Sequence, residues 1–343
     1  MLSQCPRLRN ENVNVLAAFD KSYSKQGGIP RNWQRLAAKN NAIYGRCHTK
    51  LAILIYENGV RVVITTANFW EKDWGGMTQG VWYQDFPLAS GPCEDGQSQF
   101  RQALVHYVRS LATKYIDNEE ETGISTEESK KAATACSSFA AELERFDYSA
   151  ASVALVSTIP ESWSLARNLS NVVGAGHMGL RHVLKQEPLP ALMKGKETSD
   201  RWKILAQYSS QGSMKNRKYE ADLSETLSTS SSTRPNAWKG KLQLQVLWPT
   251  VENIRTSVLG WDSGTSCPGH SRDVYETDSD GKELGPRFRG RLYKWVGEPS
   301  LGRGHATAHM KSYLSYLLSA DMQRVEAVAY MCLTSGRDHA LLL

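Results

Sequence analysis

The sequence predicts an α/β protein of two similar halves, each a mixed sheet flanked by helices. Three observations carry that prediction. Leu51 to Tyr56 and Val60 to Thr66 are apolar, β-branched runs on either side of Asn58-Gly59, the pattern of a β-hairpin. Phe100, Ala103, Leu104, Tyr107, Val108 and Leu111 recur at helical spacing, an amphipathic segment suited to covering a sheet. His48 and Lys50, spaced H-x-K ahead of the hairpin, have a counterpart in His309 and Lys311, which lead into further strand-like runs ending at Thr334. Two copies of one short pattern, each feeding an apolar strand, read as an internal repeat.

Composition agrees with a globular protein. The 343 residues suffice for two domain-sized cores, and we expect a first half over 1–149 and a second over 150–343. Hydrophobic residues make up 41% and charged residues 22%, with no apolar run near the ~18 residues that a membrane-spanning helix needs. A net charge of +6 suits a phosphate-bearing partner without requiring one. Six cysteines, at 5, 47, 93, 136, 267 and 332, show no C-x-x-C spacing. Neither a zinc site nor a disulfide framework is indicated, which points to a reducing compartment. No opening segment combines basic residues, an apolar core and a small-residue cleavage site, which argues against secretion.

In chain order, residues 1–43 are weakly patterned, with Val13 to Phe19 as the apolar run and Gln26 to Pro30 as a loop. For the hairpin, a type I′ turn at Asn58-Gly59 sets Glu57 against Val60, Lys50 against Ala67 and His48 against Phe69, with Asn68 between those last pairs. His48 and Lys50 then share one face. Trp70, Trp74 and Trp82 follow among polar residues, and the charged, turn-rich stretch 117–131 reads as a solvated loop. Ser152 to Thr158 is a buried-strand pattern, Leu180 to Lys185 a helix, and Lys203 to Tyr208 and Leu242 to Trp248 are strands. Val251 to Arg255 starts a helix, residues 262–288 read as a long loop, and Val325 to Thr334 is the last strand. Residues 174–179, GAGHMG, spell a dinucleotide fingerprint but do not directly follow a strand, so the match is read as chance.

His48, Lys50 and Asn68 gather an imidazole, an ammonium and an amide at one end of the hairpin. An imidazole attacks or exchanges a proton, an ammonium balances phosphate charge, and an amide orients either. For the hairpin alone the commoner case is a surface His and Lys, since H-x-K pairs arise often by chance. The second copy changes the balance. The stretch HTKLAILIYENGVRVVITTANFWEKDWGGMTQGVW, together with RGHATAHMKSYLS, SSFAAELERFDYSAASVALVSTIP, WKILAQYSSQGSM and PTVENIRTSVLGW, resembles the tyrosyl-DNA phosphodiesterases over about residues 36 to 335. These form the branch of the phospholipase D superfamily whose paired H-x-K…N motifs lack the downstream Asp of the phospholipases. In this sequence Tyr56 and Leu317 stand where that Asp would be, which disfavours a phospholipase or general nuclease.

The resemblance implies a phospholipase D-like pseudo-dimer of two α-β-α halves with the active site at their interface. It implies hydrolysis, without a cofactor or metal, of tyrosyl adducts at the 3′ ends of single- or double-stranded DNA. A monomer acting in DNA repair in the nucleus, with no membrane partner, is expected. It assigns His48 as nucleophile and His309 as general acid and then base, with Lys50, Lys311 and Asn68 stabilising charge and Gln79 in support. Tyr44 matches an aromatic position that stacks on a DNA base, although a half-buried strand tyrosine fits it as well. Ser210 falls on the family's DNA backbone path, although the residues alone read as a Ser/Gly turn. His305, His177 and His182 read as loop and surface residues. The family carries longer N- and C-terminal parts, so the chain is expected to be truncated at both ends, with an exposed sheet edge where strands are trimmed. Arg337 stands where the second-motif Asn aligns. On that ground the alternative is a catalytically impaired protein of the same fold that binds DNA ends.

Overall fold

The computed structural model describes residues 13–20, 29–30, 32–39, 47–91, 98–157, 176–186, 190–194, 201–207, 223–228, 244–267, 275–277, 283–286, 292–334 and 341–342. The first strands are β1 (Val15–Asp20), β2 (Trp33–Ala38), β3 (Leu51–Tyr56) and β4 (Gly59–Thr65). After them come helix α1 (Glu71–Gly76) and strands β5 (Met77–Thr78) and β6 (Val81–Pro87). Helices α2 (Gln99–Thr113), α3 (Glu119–Thr122) and α4 (Thr126–Leu143) precede β7 (Leu155–Val156) and α5 (Gly176–Gln186). Then follow β8 (Trp202–Gln207), β9 (Leu244–Leu247), α6 (Val251–Arg255), β10 (Tyr275–Thr277), β11 (Glu283–Pro286) and β12 (Leu292–Tyr293). The chain closes with β13 (Thr307–Ala308), β14 (Lys311–Leu318), β15 (Val325–Thr334) and β16 (Leu341–Leu342). The helices and mixed sheets are those of an α/β protein, and no helix among the described residues is long and apolar enough to cross a membrane.

Two compact units divide the chain. One comprises Met1–Ile64, Trp82–Gly176 and Ser335–Leu341, and the other Thr65–Val81, His177–Thr334 and Leu342–Leu343. In the first, β1 and β2 pair in parallel, and a second sheet runs in the order β3-β4-β6 with β3 at its edge. β2 eluded sequence reading because WQRLAA has no strict alternation. It is held by burial of Trp33, Leu36 and Ala37 and by a two-pronged bond from Arg35 to Glu128 of α4, at 2.7 and 3.1 Å. The core beneath β6 is aromatic: the Phe86 ring lies 5.3 Å from Phe100 and 4.7 Å from Tyr148, separations typical of favourable tilted pairs. Every apolar position predicted for α2, from Phe100 to Leu111, is buried.

The hairpin forms with a different register. Tyr56 pairs with Gly59 and Leu51 with Ile64, so the loop is Glu57-Asn58 and the type I′ turn at Asn58-Gly59 is not made. Neither loop residue nor Gly59 has positive φ, which that turn requires. Each partner moves by two residues, so every side chain keeps its face. Gly59 is needed for another reason: a Cβ there would stand 2.8 Å from the Phe86 carbonyl oxygen of β6.

The stretch 117–131 is not a loop. Asn118 caps α3 through the Glu121 N–H and Ser125 caps α4 through the Glu128 N–H, so the charges there occupy first helical turns, where acids are favoured. Residues 262–288 likewise contain the end of a 3-10 helix (Gly260–Ser266) and the antiparallel pair β10–β11.

In the second unit the sheet runs β12-β9-β8-β14-β15. β14 lies antiparallel to both β8 and β15, whereas β8 and β9 are parallel. Trp202, Met193 and Leu317 form a buried cluster, and the Trp202 indole donates to Ser315 Oγ at 2.7 Å, satisfying a polar group that would be costly to bury unpaired.

Candidate active site

His48 and Lys50 lie just ahead of β3 in the first unit. The Lys50 ammonium, 4% exposed, donates to the His48 carbonyl at 2.7 Å and lies 2.6 Å from His48 Nδ1. An ammonium can only donate, so Nδ1 is the accepting nitrogen in this state and Nε2 the other face of the ring. The segment is anchored by the Cys47 N–H, which donates to Asp20 Oδ2 at 2.9 Å. Burial, then the Asp20 charge, pushes the Cys47 thiol up to about 11, so this cysteine is no nucleophile near neutral pH.

The second cluster lies wholly within the other unit. β13 pairs in parallel with β5, and the His309 and Met310 N–H groups both donate to the Thr78 carbonyl, at 2.9 and 3.0 Å. Just before that strand, the Trp295 indole donates to the Ala306 carbonyl at 3.1 Å. On the facing segment, the Gly80 N–H donates to Thr66 Oγ1 at 2.9 Å and the Thr66 N–H to the Gly80 carbonyl at 3.0 Å. Gly80 is tightly enclosed, since a Cβ there would fall 2.2 Å from Leu333 Cδ1.

This framework aims the side chains. Gln79 Oε1 accepts from the Thr66 hydroxyl at 2.7 Å and Gln79 Nε2 donates to the Asp73 carbonyl at 3.0 Å. Those two bonds fix the amide, because a carbonyl cannot donate. His309 Nδ1 then lies 3.2 Å from Gln79 Oε1 and 3.0 Å from its Nε2. Lys311 Nζ stands 2.8 Å from His309 Nε2, 3.2 Å from its Nδ1 and 3.5 Å from the Thr66 carbonyl. Asn68 is held through its backbone N–H and its Nδ2, both donating to Asp73 Oδ2 at 2.8 Å. That carboxylate is also 3.4 Å from His309 Nδ1. His309, Lys311 and Asp73 are all at most 5% exposed. Burial pulls Lys311 down to about 7, opposed first by the Asp73 charge and then by Cys267. Such an ammonium sits close to its charge transition at neutral pH, a property typical of working sites.

Of the residues singled out from sequence, Asn68, Gln79, His309 and Lys311 thus meet in one cluster, and His48 and Lys50 meet in another. Tyr44, Ser210 and Arg337 lie outside the described residues. His305 is exposed, and its carbonyl accepts from the Val258 N–H at 2.9 Å. His182 sits on α5, 3.1 Å from Gln186. Sequence reading missed Asp73 and Thr66. In Glu71-Lys72-Asp73 nothing local separates a solvated acid from a buried one.

Residues 1–336 match the family described as Tyrosyl-DNA phosphodiesterase. The chain belongs to the tyrosyl-DNA phosphodiesterase family. Among relatives, Tyrosyl-DNA phosphodiesterase 1 of Arabidopsis thaliana is 28% identical over 345 residues, covering 98% of this chain and 50% of that protein. A probable tyrosyl-DNA phosphodiesterase of Caenorhabditis elegans is 25% identical over 280 residues, covering 80% of this chain and 52% of that protein. The chain therefore spans about half the length of these relatives. Its fold is that of the solved yeast tyrosyl-DNA phosphodiesterase, with a TM-score of 0.58 at 16% identity over 90% of this chain and 66% of that one. A mutant of the yeast protein gives a TM-score of 0.61 at 15% identity over 96% and 74% of the two chains.

Proposed function

We propose that this chain acts as a DNA-repair phosphodiesterase, releasing tyrosyl and related adducts from DNA 3′ ends through a phosphohistidine intermediate. The observation that carries the reading is the family match across residues 1–336. Its two H-x-K pairs each bring an ammonium onto the imidazole two residues before it, which is consistent with it. The reading divides the chain into halves over 1–149 and 150–343, one motif in each, both acting on one phosphorus. It expects a monomer working in the nucleus on single- or double-stranded DNA ends, with Tyr44 stacking on a base and Ser210 along the backbone.

In the proposed reaction, phosphate oxygens compete for Lys50 and draw its ammonium from His48 Nδ1, and the ring then attacks the phosphorus. The P–O bond to tyrosine breaks as His309 gives a proton to the leaving oxygen. Water then attacks the phosphohistidine, giving its proton to His309 and freeing DNA 3′-phosphate and His48. Lys50, Lys311 and Asn68 stabilise charge on the non-bridging oxygens, and Gln79 orients His309. No step requires a metal.

The test is cleavage of a single-stranded oligonucleotide bearing 3′-phosphotyrosine, in EDTA, beside His48→Ala and His309→Ala. Release of 3′-phosphate by the wild type, lost in His48→Ala and leaving a DNA-bound intermediate on His48 in His309→Ala, is the expected result. A covalent adduct on His309 instead would exchange the two roles. A folded chain that binds the oligonucleotide and never releases tyrosine would replace the hydrolase reading with an end-binding protein.

A further inference from the structure

A carboxylate buried as deeply as Asp73, 1% exposed, is expensive unless it is fully paired. Its pairing here is specific. Oδ2 takes both N–H groups of Asn68 at 2.8 Å, the same oxygen lies 3.4 Å from His309 Nδ1, and the backbone carbonyl holds Gln79 Nε2 at 3.0 Å. One residue of the short helix α1 thereby anchors three side chains of the second cluster. We propose that Asp73 is the positioning residue of this cluster, holding the His309 proton on Nδ1 so that Nε2 is the nitrogen that exchanges protons with substrate.

Among the described neighbours of the ring, Asp73 is the one whose charge bears on that choice. Gln79 offers Nδ1 both an oxygen at 3.2 Å and a nitrogen at 3.0 Å, so the amide alone accommodates either tautomer. The carboxylate accepts only, and its charge tips Nδ1 towards carrying the proton. Lys311 Nζ lies 3.2 Å from Nδ1 and closer, 2.8 Å, to Nε2, and as an ammonium at the shorter distance it favours a lone pair on Nε2. Asp73 also acts on Lys311 itself. Among the described residues, the groups facing that ammonium are Asp73 from α1, His309 on its own segment, the Thr66 carbonyl and Cys267 just past the Gly260–Ser266 helix. Burial holds the Cys267 thiol up at about 11, so it is neutral near pH 7. The anion that keeps Lys311 protonated is Asp73, and without it the lysine loses its proton at lower pH.

The kinetic arm of the test rests on the phosphodiesterase reading, whereas the spectroscopic arm does not. For Asp73→Asn, an isosteric change, kcat on the 3′-phosphotyrosyl oligonucleotide should fall about 10²-fold with KM little altered. The alkaline limb of its pH profile should move to lower pH than in the wild type. A uniform loss with the limb unmoved would reduce Asp73 to a structural role and overturn the inference. Separately, ¹⁵N-histidine spectra of the intact chain, with His309 identified by His309→Asn, should show the neutral Nδ1–H form in the wild type. An Nε2–H ring there would overturn the inference even if Asp73→Asn failed to fold. A wild type that shows Nδ1–H and cleaves nothing would sink the function and leave Asp73 in its role.

Discussion

Lys311 is a cation in a place that disfavours cations. Burial brings its pKa down from 10.5 to about 7, so between those values the unfolded chain binds a proton that the folded chain does not. Stability arising from this group therefore increases with pH across that window, and the burial penalty is in full force below about pH 7. We predict that wild type gains on Lys311→Met as pH rises from 7 to 10, at no more than about 1.4 kcal/mol per pH unit. Urea unfolding at several pH values measures it, and a difference that is flat with pH would contradict the buried ammonium. The same scale separates the two histidines. His48 Nδ1 faces a donor, Lys50, whereas His309 Nδ1 has the Gln79 and Asp73 oxygens beside it as well as the donors Gln79 Nε2 and Lys311 Nζ. Two identical H-x-K spellings thus hold rings in different surroundings, and the difference comes from Gln79 and Asp73, residues that neither motif contains.

At the scale of elements, the hairpin shows how a correct pattern can carry a wrong turn. In β4 alternate residues Val60, Val62 and Ile64 are buried, and a shift of two residues preserves that face. The turn was misread because Asn-Gly is the commonest signal for a turn of positive φ, whereas here Gly59 serves the close approach of β6. Gly59→Ala should therefore destabilise the protein by about 1–3 kcal/mol through overpacking, whereas Asn58→Ala at the exposed loop should stay within about 0.5 kcal/mol. Thermal unfolding of both variants decides it: equal losses would restore a turn-specific role to the pair. The helices after residue 117 teach the converse. Ser125 with Glu128, and Asn118 with Glu121, were start signals in plain view, but the density of charge between them suggested a loop.

For the whole molecule, the relevant quantities are net charge and connectivity. A balance of +6 gives a DNA ligand a favourable field that salt screens. We predict that affinity for a single-stranded oligonucleotide falls about tenfold or more between 50 and 200 mM salt. Fluorescence anisotropy across that range measures it, and an affinity indifferent to salt would contradict phosphate contact. Connectivity is the part that sequence reading could not anticipate. Both compact units are assembled from separated stretches, and Thr65–Val81 joins a unit made chiefly of residues far downstream.

By itself the sequence determined the α/β class, the two strands of the hairpin, the buried face of α2, the strand leading from His309 and Lys311, and the family to which these motifs belong. Periodicity and spacing record what happens within one element, so those features need no knowledge of the rest of the chain. Only the tertiary structure decided the partners of His309. Gln79 is 230 positions away in sequence, and Asp73 is an ordinary acid until α1 turns it inward beside Asn68 and the imidazole. Hydrogen bonds among buried polar groups depend on distances of a few tenths of an ångström between segments remote in sequence, and no local pattern encodes those distances.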